Sequence, residues 1–143
     1  MTEVTFHFNV PDKPGYACRL LRKAHAAGGP VGVVAPRAVL DDLDTRLWSF
    51  SALDFIPHCL ATAPAPMLGA TPIVLAEHCA QLPQSGVLVH LGEQVPAGFE
   101  RFERLIELVG TDEADRAHAR QRWRHYADRG YAIQRHDLAA REP

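Results

Sequence analysis

Alternation of apolar and polar residues is clearest at the start of the chain. Val4, Phe6 and Phe8 occupy every second position there, which predicts a strand with one buried face. A helical spacing follows in residues 16–27, where Leu20, Leu21 and Ala24 fall on one side. The sequence Gly28-Gly29-Pro30 then predicts the end of this helix.

A buried strand, a helix and a loop are predicted in the middle of the chain. The run VGVVA, residues 31–35, is typical of a short buried strand, and Pro36 suits the first turn of the helix after it. That helix is predicted from apolar residues at spacings of three and four, namely Leu40, Leu43 and Leu47. Residues 51–72 are rich in alanine and proline and predict a long ordered loop, or a loop interrupted by a short turn.

Three strands and a helix are predicted in the second half. Residues 72–77 and 86–92 are typical of buried strands. The run ERLIELVG fits a helix or a strand, and we take Leu105–Val109 as a strand. Residues Asp112–Arg129 predict the last helix, with Thr111 as candidate N-cap and Gly130 at the stop.

Alternating strands and helices predict the α/β class. We expect a three-layer α/β/α sandwich with a mainly parallel sheet, and a single domain over residues 1–143, because no repeat or linker divides the chain. The arrangement is Rossmann-like but has no nucleotide-binding loop, since neither GxGxxG nor GxxxxGK[ST] occurs. A hydrolase elbow of the GxSxG type is also missing.

Composition bears on the cellular compartment and on metal binding. We expect no membrane span and no signal peptide, because no apolar run approaches about 18 residues and the first residues lack a basic start before an apolar core. Three widely spaced cysteines favour reduced thiols in a cytoplasmic protein. The pairs His58-Cys59 and His78-Cys79 lack the usual spacing of zinc ligands, so we expect neither a metal nor another cofactor.

Charge is distributed unevenly. The chain has a formal net charge of −2, yet residues 116–135 contain six arginines and one acid. The overall charge argues against a general nucleic-acid binder, whereas the local excess of arginine favours a site for an anionic group.

The basic segment has a helical arrangement. Arg116, Arg120, Trp123 and Arg124 fall within an arc of about 100° on a helix. Guanidinium groups beside an aromatic face suit a ligand with carboxylates and an apolar or aromatic end. The alternative is an exposed helix face with arginines for solubility and a tryptophan for packing.

A second aromatic cluster lies in LWSFSALDFIPHC, residues 47–59. Trp48, Phe50, Phe55 and Ile56 surround a predicted helix end and a turn at Pro57. These side chains belong either to the core or to a protein-binding patch.

The chain resembles the chi subunit family of the bacterial DNA polymerase III holoenzyme along essentially its whole length. The resemblance is carried by TFHF at Thr5–Phe8, LWSFSALDFIPHC at Leu47–Cys59, GVLVHLG at Gly86–Gly92 and ARQRWRHYADRGY at Ala119–Tyr131. It implies a non-catalytic accessory component of the clamp-loader assembly in DNA replication. Such a subunit bridges the psi subunit and the acidic C-terminal tail of single-stranded-DNA-binding protein, and contacts DNA only indirectly.

The resemblance also assigns residues to these two partners. For the acidic tail, which ends in an aromatic residue, it implies Val109, Arg116, Arg120, Trp123 and Arg124. For psi it implies Trp48 and Phe55, with Pro57 shaping the patch.

Two other functions stay open at this point. An α/β enzyme with a cryptic site would need a deep cleft at the carboxyl ends of the strands, with converging polar groups. A direct binder of single-stranded nucleic acid would need basic and aromatic residues along a groove, whereas here the basic residues concentrate on one helix.

Overall fold

Parallel strands and three helices make up the fold in the computed structural model, which describes residues 1–49, 57–64, 66–67 and 71–140. The strands are β1 Glu3–Val10, β2 Val31–Val34, β3 His58–Leu60, β4 Ile73–Ala76, β5 Val87–His90, β6 Arg104–Gly110 and β7 Ile133–Asp137. The helices are α1 Lys13–Ala26, α2 Arg37–Ser49 and α3 Glu113–Asp128.

All seven strands are parallel and form one sheet in the order β3-β4-β2-β5-β6-β1-β7. The connections through α1 and α2 move the chain toward β3, whereas the connection through α3 moves it toward β7. Because crossovers between parallel strands are right-handed, the two directions place their helices on opposite faces. This confirms the predicted mainly parallel α/β sandwich.

Each face of the sheet has its own apolar core. On one face, α1 and α2 bury Ala17, Cys18, Leu21, Leu40, Leu43 and Leu47 against the strands. On the other face, α3 contributes Ala119 and Tyr126 to a core that includes Phe6, Phe99 and Phe102. Of the five inner strands, β2, β4, β5 and β6 are buried almost throughout, as expected for strands covered on both faces.

Two helix starts differ from the prediction. Helix α1 begins at Lys13 rather than near Tyr16, because Asp12 caps it by accepting from the Gly15 N–H at 3.3 Å and Pro14 fits its first turn. Helix α3 is capped by Asp112, not by Thr111: the Asp112 carboxylate accepts from the Asp115 N–H at 3.2 Å.

Two strands were not predicted. Strand β3 lies within the segment that we predicted as a loop, and its three residues are too few to show a period. Strand β7 is mostly exposed and polar, so its sequence IQRHD lacks the apolar signal of the inner strands. These two strands are the two edges of the sheet.

Candidate functional site

A pocket of about 510 Å³ opens where the carboxyl ends of β1 and β6 meet helix α3 and strand β7. This volume lies within the usual range of small-ligand sites. Its lining combines an apolar floor with guanidinium groups at the rim: Phe6, Phe8, Asn9, Val109, Gly110, Arg116, Ala119, Arg120, Trp123 and Arg135.

The aromatic wall of the pocket is the half-buried Trp123. Its ring centroid lies 5.1 Å from that of Phe6, and the guanidinium carbon of Arg135 lies 6.0 Å from the Trp123 ring centroid. The Trp123 ring therefore offers a flat apolar surface with the Arg135 cation beside it, which suits an aromatic group attached to an anion.

Two arginines of the pocket have acceptors within the protein. Arg116 Nη2 donates to Asn9 Oδ1 at 2.8 Å, and Arg120 Nη2 donates to Glu113 Oε2 at 2.5 Å. Arg116, Arg120 and Glu113 are all exposed, so solvent screens these contacts and an incoming anion can compete with them.

Asn9 links three elements at the pocket rim. Besides accepting from Arg116, it donates through Nδ2 to Asp137 Oδ1 at 2.7 Å, which ties the end of β1 to the end of β7. Its φ of 59° places it in the left-handed region, which asparagine tolerates better than most residues, and the pairing of β1 with β6 is irregular here. The turned backbone lets the Asn9 side chain reach both neighbours.

A buried polar network sets the rotation of α3 about its axis. Glu107 of β6 accepts from Arg122 Nε at 3.0 Å and from the Tyr126 hydroxyl, and lies 2.7 Å from Nδ1 of His90. Arg122 Nη1 also donates to the Glu93 carbonyl at 2.9 Å. Because Arg122 and Tyr126 point into the core, their neighbour Trp123 is turned toward the pocket.

The network keeps Glu107 ionised. Burial by itself would raise the pKa of Glu107, but His90, Arg122 and Tyr126 together outweigh it, so this pKa lies below its usual value. Burial beside Glu107 raises the pKa of Tyr126, which keeps its hydroxyl protonated as a donor.

Protein carboxylates occupy the helix N-termini next to the pocket. Asp115 Oδ2 accepts from the Gly110 N–H at 2.6 Å and lies 3.1 Å from Lys13 Nζ. Burial tends to raise the pKa of Asp115, but these two donors hold it below its usual value. At the N-termini of α1 and α3, Asp12 and Asp112 accept from the Gly15 and Asp115 N–H groups, so the backbone donors that bind phosphate in nucleotide-binding folds already face carboxylates.

Four of the five residues assigned to the acidic tail line this pocket together: Val109, Arg116, Arg120 and Trp123. Arg124 is exposed on the same helix, and among the described residues it is not part of the lining. Arg122, which we counted in the basic segment, is buried against Glu107 and adds no charge to the surface.

Six lining residues were not among the predicted site residues, namely Phe6, Phe8, Asn9, Gly110, Ala119 and Arg135. The alternation of Val4, Phe6 and Phe8 did predict an apolar face, but it did not show that this face reaches a pocket. Arg135 belongs to β7, which was not predicted. The alternation of Ile133 and Arg135 is the signal that would have placed them on one face.

The lining offers little for acid–base chemistry. Among the described residues that form it, the polar side chains are three arginines and one asparagine. Neither type exchanges protons near neutral pH, and neither is a usual nucleophile. The pocket therefore suits binding of an anion better than a reaction.

Trp48 lies at the other end of the strand order, beside β3. Its side chain is 60% exposed, and its ring centroid lies 5.0 Å from that of His58. The His58 side chain is buried, and its Nε2 lies 3.1 Å from Asp44 Oδ1. Pro57 is half-buried, whereas Phe55, Phe50 and Ile56 lie outside the described residues.

The two His-Cys pairs do not gather into a metal site. His58 packs beside α2, while Cys59 points into the core on the α3 face, as alternation along a strand requires. Within the described ranges, no group of three or more histidine, cysteine or acidic side chains is placed to hold a metal ion. None of the helices in the described part of the chain has the length and apolar character needed to cross a bilayer.

Comparison with known proteins adds the family. Residues 1–134 match the family model described as "DNA polymerase III chi subunit, HolC". The DNA polymerase III subunit chi of Pseudomonas aeruginosa is 35% identical to this chain, in an alignment that covers 96% of this chain and 98% of the relative. The family predicted from the four sequence stretches is therefore confirmed, and the chain belongs to the chi subunit family of DNA polymerase III.

Proposed function

We propose that this accessory subunit of DNA polymerase III joins the clamp-loader assembly to single-stranded-DNA-binding protein during DNA replication. The psi subunit would bind at the Trp48 patch, and the acidic tail of single-stranded-DNA-binding protein would bind in the pocket. In this proposal the chain works in the cytoplasm, has no catalytic activity or cofactor of its own, and meets DNA only through its partners.

The observation that carries the proposal is the chemistry of the pocket. Its arginines match the carboxylates of an acidic tail, and Trp123 with Phe6 and Val109 matches a terminal aromatic ring. Arg124, outside the lining, would contribute long-range attraction to the same tail. A flexible tail loses conformational entropy when it binds, so we expect a dissociation constant in the micromolar range. This corresponds to a binding free energy of about −8 kcal/mol.

The second surface is formed by Trp48, a residue that is 60% exposed. An aromatic side chain of this size at the protein surface suits the centre of a protein interface. In the proposal Phe55 belongs to the same patch and Pro57 shapes it.

The positions of the two surfaces fit simultaneous binding of two partners. The pocket uses the edge strand β7, and Trp48 lies beside the opposite edge strand β3. Six spacings of about 4.8 Å separate these edges, roughly 29 Å in all. Two partners at this separation need not compete for the same residues.

A titration of labelled tail peptide tests the pocket. We expect Arg120→Ala and Trp123→Ala each to weaken binding without unfolding the protein, and a peptide lacking its final aromatic residue to bind poorly. Binding should also weaken markedly between low and high salt, because the charge pairs are partly exposed. Arg129→Ala, at the C-cap of α3 and outside the lining, is the control for a general loss of positive charge.

The opposite result is equally clear. Binding that ignores salt, survives both substitutions and tolerates loss of the terminal aromatic residue would reduce the cluster to a solvated helix face. Tight binding of unstructured single-stranded DNA by the chain alone would instead favour direct nucleic-acid binding.

A further inference from the structure

Arg135 faces the pocket from the sheet, opposite the arginines of α3. It pairs with Phe6 in the register of β7 with β1, and it shares a face of β7 with Ile133, which packs against the core beneath α3. Its guanidinium therefore lies beside the Trp123 ring, with 6.0 Å between the guanidinium carbon and the ring centroid.

The arginines of the pocket differ in their partners. Arg116 is held by Asn9, and Arg120 by Glu113. Arg135 is exposed, and within the described ranges no hydrogen-bond or ion-pair acceptor faces its guanidinium. An incoming anion reaches Arg135 without displacing a protein group.

We propose that Arg135 is the residue of the pocket that binds the terminal carboxylate of the ligand, so that the pocket selects a free chain end over an internal acidic segment. This inference rests on the proposed binding of an acidic tail that ends in an aromatic residue. Under this inference the edge strand β7 recognises the chain end, whereas the arginines of α3 bind the other carboxylates of the tail.

Geometry favours the terminal carboxylate over the other carboxylates of the tail. In a chain end, the carboxylate and the aromatic ring belong to the same residue and lie within a few ångströms of each other. A ring packed against Trp123 thus brings its own carboxylate to the cation beside that indole, which is Arg135. Carboxylates earlier in the tail are left for Arg116 and Arg120 at the outer rim. An arginine also offers two parallel N–H donors, which match a carboxylate.

The test compares two synthetic peptides of the same acidic sequence, one with a free terminal carboxylate and one amidated there. Each is titrated against the unmodified chain and against Arg135→Gln. Arg129→Gln and Arg104→Gln are the charge-matched controls, and neither arginine lines the pocket. Arg104 is exposed at the amino end of β6, with Nη2 3.8 Å from Glu3 Oε1. Thermal unfolding of each variant checks that the fold is intact.

We expect Arg135→Gln to lose about five- to tenfold in affinity for the free-acid peptide, as a charge-assisted contact at a partly exposed site does. Amidation of the peptide should lower its affinity for the unmodified chain by a similar factor. It should lower the affinity for Arg135→Gln only slightly, because that substitution has already removed the contact. Both controls should stay within about twofold of the unmodified chain.

Three outcomes decide against the inference. If Arg135→Gln binds both peptides as the unmodified chain does, or if amidation costs the variant as much as the unmodified chain, then Arg135 does not receive the terminal carboxylate. If Arg120→Ala and Trp123→Ala still weaken binding in that experiment, the proposed function stands without this inference. Failure of the unmodified chain to bind the free-acid peptide would overturn both.

Discussion

Arg122 and Glu107 form an ion pair, with 3.0 Å between Nε and Oε1, in which both side chains are almost fully withdrawn from solvent. One comes from the middle of α3 and the other from the centre of β6. A buried ion pair of this kind is weak evidence for high stability, but it specifies one orientation of the helix. Here that orientation presents Trp123 to the pocket.

The first prediction concerns Glu107→Gln. The substitution leaves Arg122 buried without its counter-charge, so we expect the free energy of unfolding to fall by about 3 kcal/mol. Urea unfolding of the purified chain measures the change. Glu103→Gln, an exposed position just before β6, should change it by less than about 0.5 kcal/mol. An equally small effect at Glu107 would show that the pair does not hold the helix.

A second prediction follows from the low pKa of Glu107. A carboxyl group with a lower pKa in the folded state stabilises that state above its unfolded pKa of about 4.3. This contribution is lost as the pH falls through the folded pKa. Stability should therefore drop as acid is added below about pH 4, and the drop should be shallower in Glu107→Gln. Parallel pH curves for the two proteins would contradict this cause.

Glu113→Gln should strengthen binding of the acidic tail peptide. Glu113 holds Arg120 in the free protein and must give way to a ligand carboxylate. We expect about a two- to threefold gain in affinity at low salt, since an exposed ion pair is worth less than about 1 kcal/mol. Asp128→Asn removes the same charge from the far end of α3 and is the control. An equal gain in both variants would indicate net charge rather than release of Arg120.

Trp48→Ala should weaken binding of a psi-type partner by about 2 kcal/mol or more and leave the free chain folded. Its neighbour Leu47 is 1% exposed, so Leu47→Ala should destabilise the fold by about 2–5 kcal/mol. Calorimetric titration and thermal unfolding of both variants separate the two effects. If Trp48→Ala unfolds the free chain while its folded fraction still binds normally, Trp48 serves the fold and not the interface.

Mg-ATP should leave the melting temperature unchanged. The carboxylates of Asp12 and Asp112 face the backbone N–H groups of Gly15 and Asp115 at the N-termini of α1 and α3, where a nucleotide-binding fold would hold phosphate. A thermal-shift assay with and without the nucleotide checks this expectation. A rise of several degrees would show that a phosphate site exists elsewhere in the chain.

The predictable part of the fold is the part that is buried on both sides or has a full helical stripe. The run VGVV of β2 is wholly apolar, and the leucines of α2 recur at spacings of three and four, so both elements are visible in the sequence. The edge strands are not, because β3 is three residues long and β7 exposes its central residues to water. Their strand conformation comes from pairing with β4 and β1, which local sequence does not encode.

The predictable part of the pocket is the part on a single helix. The spacing of Arg116, Arg120 and Trp123 was enough to group them, since four-residue and three-residue steps return to the same side. The burial of Arg122 could not be predicted from the spacing, because its partner Glu107 lies on another element. Nor could the spacing add Arg135, which reaches the pocket only through the pairing of β7 with β1.

The pairing of β1 bears on the order in which the two surfaces become complete during synthesis. Val4 pairs with Leu105 on one side and with Ile133 on the other, so the first strand gains both neighbours only after residue 133 has been synthesised. A ribosome delivers residues in sequence, and the pocket lacks a wall until Arg135 has emerged. Trp48 and His58 emerge much earlier. A nascent chain therefore cannot complete this pocket before Arg135 has left the ribosome, and by then Trp48 and His58 have already emerged.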